Sequence, residues 1–477
     1  VIGSGSEPDE DAPEDHGASH DHAFADAVEQ GDTTEGPLPE PLMLVPPAPS
    51  TGSTAAPVLT EASLPPARHG RLVRHGTGRT VGKGVGAVIA VLALSGAAIG
   101  GFAVIDVVRE IKPPVQLESE EVLENVPDIG AMEGGLNFLL VGSDKRPASG
   151  AFGDPEIDSA TLNDVTMLLH ISEDHSHVEV VSFPRDMLVD VPACPSVDGS
   201  AEGYGERYDV KLNTILKDGG FACIASTLER MLGITIPVGG IVEFDGVAAL
   251  AEAVGGVPVC LVDPVSDPYS GLDLAAGTHS ITGYQALAFL RTRHAVGDGS
   301  DLGRISIQQT FLASLARTLQ STGTLANPIK LYSIAKAVLA NMTLSQGLRD
   351  AGRLVSVARA MQDIDLDKIA FIQYPTAYTW DFSAVEPAES AQVVASALQR
   401  DVAVAFNPTA TGSASFGTVE AGVPTATPSP TPSTPPSAGA TPLPTPTTAP
   451  TPAAEALPGD VTGQTAGEVR CAAANSG

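Results

Sequence analysis

Two aspartates stand at the edges of apolar runs. Asp144 follows the run 136–141 after Gly142 and Ser143, and Asp164 immediately precedes the run 165–169. Strand ends are where α/β sheets hold ligands. Two carboxylates so placed can share a hard cation, and oxygen ligands completed by phosphate suit magnesium. Two loop aspartates closing turns would give the same spacing. Arginines gather around the pair. Arg146 lies two residues past Asp144, and Arg185 follows Pro184 and precedes Asp186. Arg291 and Arg293 lie where a helical run over 283–290 gives way to glycine-rich AVGDGSDLG, and in extended chain they share a side. Arg304 and Gln308 are four apart and share a helix face. Asp301, just before that helix, is either its cap or an acceptor for an arginine. Guanidinium forks bind phosphate bidentately and keep their charge on burial. The set points to a phosphate or pyrophosphate site. Surface solubility is the alternative, and it explains Arg146 better than it explains Arg291 with Arg293.

The elements that would position these residues are legible as changes of periodicity. Runs at 136–141, 166–171, 178–183, 241–244, 257–262 and 369–374 read as strands. Helical patterns cover 215–232, stopped by Gly233, then 246–254, 283–290, 305–319, 329–339, 348–361 and 388–399. Alternating strands and helices call for a central sheet covered on both faces. Strands 166–171 and 178–183, joined by a short acidic turn, are expected as an antiparallel pair, so the sheet should be mixed. Ile224, Leu228, Met231 and Leu232 share one helix face, which could line an apolar channel or pack as ordinary core.

Of the 477 residues, about 131–400 form one compact domain's worth of chain. Residues 1–67 carry 13 acidic side chains and no Lys or Arg, a composition that cannot offset the entropy of ordering. The net charge of −31 excludes a general nucleic-acid surface. Residues 84–105 hold 22 residues without a charge, long enough to cross a bilayer as a helix. Arg68, Arg71, Arg74, Arg79 and Lys83 precede that run, so 1–83 is expected in the cytoplasm and the rest outside. A cleaved signal peptide is the competing reading. After a linker over 106–130 and the domain over 131–400, residues 401–477 are expected as a Pro/Thr/Ser-rich disordered tail ending in a cysteine segment. Cys194, Cys223, Cys260 and Cys471 match no metal spacing and allow three disulfide pairings. Cys194 and Cys223 bracket a glycine-rich excursion, which favours that pair and leaves Cys260 with Cys471.

Eight blocks taken in order resemble the LytR-CpsA-Psr family, and its actinobacterial members in overall layout. They are NFLLVGSD (137–144), NDVTMLLHI (163–171), VSFPRD (181–186), KLN (211–213), EFDGVAALAEAVGGVPV (243–259), GLDLAAG (271–277), GYQALAFLRTRH (283–294) and SDLGRISIQQTFL (300–312). The resemblance implies a three-layer α/β/α domain with a central mixed sheet, here expected after one transmembrane helix. It implies a phosphotransferase that moves a glycopolymer from a polyprenyl-pyrophosphate carrier to the 6-hydroxyl of peptidoglycan N-acetylmuramic acid. The implied partners are that lipid-linked glycan, peptidoglycan and the lipid bilayer, with no nucleic acid. By matching motif, Asp144 and Asp164 resemble magnesium ligands, and Arg185, Arg291, Arg293 and Arg304 a pyrophosphate clamp beside Asp301 and Gln308. Lys211 and Asn213 fall in a block near the head-group pocket, and Asp186 or Asp301 is placed to accept the hydroxyl proton. Leu162 and Ile307 stand where the family often has arginines, and Arg146 or Lys145 could replace one of those charges. A pyrophosphatase using water on the same site, and a non-enzymatic envelope regulator, are the rival readings.

Overall fold

The computed structural model describes residues 135–146, 161–195, 203–297, 299–321, 324, 327–349, 351–407, 418–420 and 454–475, with short stretches between 82 and 117. Residues 1–76 lie outside this set, and the features below belong to residues 77–477. The Pro/Thr-rich stretch 421–453 also lies outside it.

The strands that matter for the site are β1 (Leu136–Ser143), β2 (Asn163–Ile171), β3 (Val178–Phe183), β4 (Leu188–Val191), β5 (Arg207–Lys211), β6 (Val238–Val242) and β7 (Val257–Leu261). The helices are α1 (Ile215–Leu232), α2 (Phe244–Val254), α3 (Gly283–Arg291) and α4 (Asp301–Gln320). Every residue of β3 is buried, as its VEVVSF run demands of a strand covered on both faces. The main sheet has seven strands in the order Met342–Leu344, β6, β1, β2, β3, Ile369–Gln373, Gly463–Thr465. β1–β2 and β2–β3 are antiparallel, while β1–β6 and β3 with Ile369–Gln373 are parallel, so the sheet is mixed.

The period-two alternation sorts side chains to two faces. Leu139, Val141, Leu168 and Val181 pack against Ile224 and Leu228 of α1 and Val394 of helix Ala391–Gln399. Met167, Ile171, Val178 and Val180 face the other way, towards Ala313 of α4 and Leu339 of helix Pro328–Asn341. This is the α/β/α layering anticipated from the sequence. α1 ends at Gly233, whose φ of 68° is the left-handed conformation a side chain would disfavour.

A second sheet runs Gly277–Ile281, β7, Arg470–Ala472, Thr418–Glu420. The end of the expected tail is therefore folded. Residues 463–465 extend the main sheet, residues 470–472 the second one, and Cys471 is joined to Cys260. Cys194 is joined to Cys223.

The transmembrane expectation needs correction. Among the described residues no helix is long and apolar enough to cross a membrane. Within 84–105 only residues 85–91 and Ser95 are described as helical, and the rest of that run lies outside the described residues. Length and lack of charge made the run look like a span, but five of its 22 residues are glycine. Each glycine costs a helix about 1 kcal/mol relative to alanine. The single-pass topology and the bilayer as partner rested on that span, and the structure gives neither any support.

At the end of the sheet where β2 passes to β3, two buried histidines are held by carboxylates. His170 lies 2.9 Å from Asp401 through Nε2, and His177 lies 2.9 Å from Glu179 through Nδ1. Burial opposes a charge on His177, but Glu179, with Asp401 and Asp174 beyond, outweighs it and raises the pKa. The stabilisation is therefore complete below the unfolded value of about 6.5 and is lost as pH rises through the higher folded value. In denaturant titrations, wild type should exceed a His177→Gln/Glu179→Gln variant by a margin that narrows from neutral to alkaline pH. A margin independent of pH would show that the pair is not charged.

Candidate functional site

The ends of β1, β2 and β3 bring the carboxylates together. β1 stops at Ser143, and Asp144 closes a two-bond contact with the chain entering β2. Its N–H donates to Leu162 O at 3.1 Å, and its Oδ1 accepts from Leu162 N–H at 2.6 Å. Burial raises the pKa of Asp144, and the like charge of Asp164 adds to that rise. Asp164 lies inside β2 rather than before it, because that strand begins at Asn163.

Arg185 leaves β3 through Pro184, and its carbonyl accepts from Asn213 N–H at 2.9 Å. Asn213, in the single turn Leu212–Thr214, thus helps hold the loop that presents Arg185. Arg185 Nη1 donates to Asp164 Oδ1 at 2.9 Å, and its Nε lies 3.4 Å from Asp186 and 3.6 Å from Asp301. Burial opposes the charge on Arg185, but those three carboxylates outweigh it and raise the pKa. Lys211, at the end of β5, donates to Asp186 Oδ1 at 3.2 Å.

The start of α4 supplies the opposite wall. Ser300, not Asp301, caps the helix by accepting from Gly303 N–H at 3.0 Å. Asp301 is free of that duty and accepts from Arg304 Nη2 at 2.5 Å and from Arg185 N–H at 3.3 Å. Arg304 Nη2 also donates to the Asp164 carbonyl at 3.0 Å. Its Nε is buried and finds no partner among the described residues, a donor left for a bound group. The carbonyl oxygen of the buried Asn213 side chain is likewise unmatched.

Arg291 ends α3 with its guanidinium 4.7 Å from the centre of the Phe244 ring. Burial lowers its pKa, and the like charge of Arg146 lowers it further. An anion entering there would relieve both effects. The sequence reading missed Phe244. Its place between a strand and the helix of the EFDGVAAL block was the available signal, but an aromatic there reads equally as core.

Asp164, Arg291, Arg304 and Gln308 line one cavity of about 170 Å³. The remaining wall is largely apolar, with Leu140 and Met167 from the sheet, Val247 and Leu250 from α2, Leu287 from α3 and Leu315 from α4. A second apolar cavity of about 290 Å³ lies between α4 and the helices Pro328–Asn341 and Ala351–Gln362, and Val338 borders both. Both cavities thus lie on the α4 side of the sheet. Ile224, Leu228 and Leu232, the alternative lining, are fully buried core on the opposite side, with Met231 packed against them.

Arg293 lies half-buried in the loop after α3 and does not line the cavity. Only Arg291 does, because it is still helical and the extended chain begins at Thr292. Ile307 is fully buried in the core between α4 and the second sheet, so that helix position carries no phosphate-facing charge here. Leu162 serves Asp144 through its backbone.

Among the described residues, no group of three or more His, Cys, Asp or Glu could hold a metal ion. Asp144 and Asp164 are two carboxylates only. That donor set fits a cation such as magnesium, which keeps waters and takes further oxygens from substrate phosphates.

Comparison with known proteins agrees with the blocks noted above. The chain is 32% identical over 275 residues to the cell wall biosynthesis protein LcpA of Corynebacterium glutamicum, covering 52% of each chain. It is 25% identical over 332 residues to the polyisoprenyl-teichoic acid–peptidoglycan teichoic acid transferase TagT of Bacillus subtilis, covering 68% of this chain and 94% of that one. The matched region spans about half the length of LcpA and of the probable cell wall biosynthesis protein LcpB of the same organism. Among solved structures, a LytR-Csp2A-Psr enzyme from Actinomyces oris superposes with a TM-score of 0.44 at 22% identity, over 60% of this chain and 96% of that one. Residues 110–400 match the LytR_cpsA_psr family, and the chain belongs to it.

Proposed function

We propose that this chain is a phosphotransferase that moves a phosphate-linked glycopolymer from a polyprenyl-pyrophosphate carrier to the 6-hydroxyl of peptidoglycan N-acetylmuramic acid. The observation that carries the reading is one cavity with an apolar wall for a hydrocarbon chain and Asp164, Arg291, Arg304 and Gln308 for its charged head. The name of the TagT relative, a polyisoprenyl-linked polymer transferase acting on peptidoglycan, supports the same class.

Arg185, Arg291 and Arg304 would bind the nonbridging oxygens and follow their charge as it shifts to the leaving polyprenyl phosphate. A magnesium ion held by Asp144 and Asp164 would supply further charge neutralisation at the pyrophosphate. Asp301, engaged by Arg304 and Arg185, orients the clamp. Asp186 is the more exposed carboxylate and stands on the Lys211 side, where an incoming hydroxyl could lose its proton. Gln308, whose Nε2 lies 3.4 Å from Leu290 O, ties α4 to α3 across the cavity. Arg146 adds positive charge near Arg291.

A transfer assay with lipid-linked glycan and peptidoglycan oligomers tests this. Mass spectrometry should find a glycan attached through a phosphodiester. Phosphate release without attachment, where a control ligase works, would replace the reading with hydrolysis. The cavity makes a separate prediction. Leu250→Trp should displace about two methylenes of bound chain, costing about 1.5 kcal/mol or about tenfold in kcat/KM for long-chain donors. Short-chain donors should be spared, and equal losses for both would place the lipid elsewhere.

A further inference from the structure

Beyond strand Ile369–Gln373 the chain forms a hairpin, Thr376–Tyr378 against Val385–Pro387. Its turn exposes aromatic rings. Trp380 is 93% exposed and Phe382 76%, and the Tyr378 ring lies 5.7 Å from that of Phe382. Aromatic residues make up only 4% of this chain, and Trp380 is its single tryptophan. Three rings spent on five residues of surface are not there for burial.

The turn is firmly built. Asp381 accepts from Thr379 Oγ1 at 2.8 Å, from Ser383 N–H at 3.1 Å and from Ser383 Oγ at 2.9 Å. Phe382 is thereby held at a φ of 57°, which a bulky residue adopts only under constraint. The hairpin is also fastened to the clamp. Ser383 O accepts from Lys211 Nζ at 2.8 Å, and Val385 N–H donates to the Asp186 carbonyl at 3.2 Å. Lys211 in turn reaches the Asp186 carboxylate, which lies 3.4 Å from Arg185 Nε. The turn that carries the rings is thus tied to the Arg185–Asp186 loop.

Charge decides which partner they fit. Residues 376–389 contain Asp381, Glu386 and Glu389 and no Lys or Arg. Such a surface repels an anionic lipid leaflet and a phosphate-rich polymer alike. The C–H face of an uncharged pyranose has no such penalty and stacks on exposed, rigid aromatic rings. We propose that this hairpin is the acceptor platform, where Trp380 and Phe382 stack the uncharged faces of the acceptor's hexosamine rings, one of whose hydroxyls is presented to the clamp. The proposal rests on the transferase reading above for what happens next, but not for the binding itself.

Because Trp380 is the only tryptophan, fluorescence excited selectively in tryptophan, beyond the absorption of the seven tyrosines, reports this ring alone. The whole protein, without donor or magnesium, is titrated with a tetrasaccharide of N-acetylglucosamine. A saturable blue shift and reduced acrylamide quenching are expected, with about fivefold weaker binding in Phe382→Ala from the loss of one stacking contact. Emission unchanged by the sugar overturns the proposal. So does a change produced by vesicles of anionic phospholipid and not by the sugar, which would make the hairpin a membrane contact. In the transfer assay, Trp380→Ala should raise the acceptor KM about fivefold and leave kcat near its original value, the mark of lost acceptor binding. Sugar binding without any transfer would strike the proposed reaction and leave the platform standing. Transfer with no sugar response at Trp380 would do the reverse.

Discussion

Arg304→Lys is expected to lower transfer about 100- to 1,000-fold, the usual cost of removing one preorganised donor from developing negative charge. Arg304 is 8% exposed and touches both sides of the site, with Asp301 on its own helix and the Asp164 carbonyl on β2. Its Nε, unmatched among the described residues, leaves one more donor in the same rigid fork. A lysine ammonium keeps the charge but cannot span those acceptors and a phosphate together. Steady-state transfer rates, with circular dichroism and Tm as controls for folding, measure the effect. Normal turnover in Arg304→Lys would mean that the guanidinium serves only to pin Asp301 and β2.

The largest stability effect is expected from Cys260→Ser/Cys471→Ser. That disulfide closes a loop of 211 residues, against 29 for Cys194–Cys223. The chain-entropy model assigns the long loop about 5 kcal/mol and the short one about 3.5 kcal/mol. For a domain of this size, 5 kcal/mol corresponds to a fall in Tm of about 10 °C. The long link also fastens strand Arg470–Ala472 beside β7. Equilibrium denaturation of the two double-serine variants compares the loops directly. An equal or smaller loss for the 260–471 pair would show that the C-terminal strands are held by packing alone.

How much of this was legible depended on whether the signal was local. β3 and α1 occur at the expected residues because each is specified by its own periodicity, with Gly233 as the stop. The antiparallel β2–β3 pair follows from a connection too short for any other geometry. At the start of α4 the sequence left Asp301 either as the cap or as an acceptor for an arginine, and the structure bears out the second. Ser300 and Asp301 are adjacent capping residues, and only the fold shows that Ser300 takes the backbone and frees Asp301 for the arginines. The run 84–105 misled for a related reason. Apolar composition says that a segment avoids water, not what covers it.

The sequence by itself determined the residue types of the site, the order of its blocks, the alternation that makes an α/β/α sandwich, and hence the family. Tertiary structure decided which arginines meet. Arg291 lines the cavity and Arg293 does not, because the helix happens to end between them. It decided that the cavity lies on the α4 side and not behind α1, since both helices show an apolar stripe and a stripe does not name its neighbour. It also brought residues 463–472 back to β7 and to Ile369–Gln373 across a stretch whose own composition promises no contact. Those pairings join residues up to 211 positions apart. Contacts at that range are set by the closing of the whole sheet, and no local pattern encodes them.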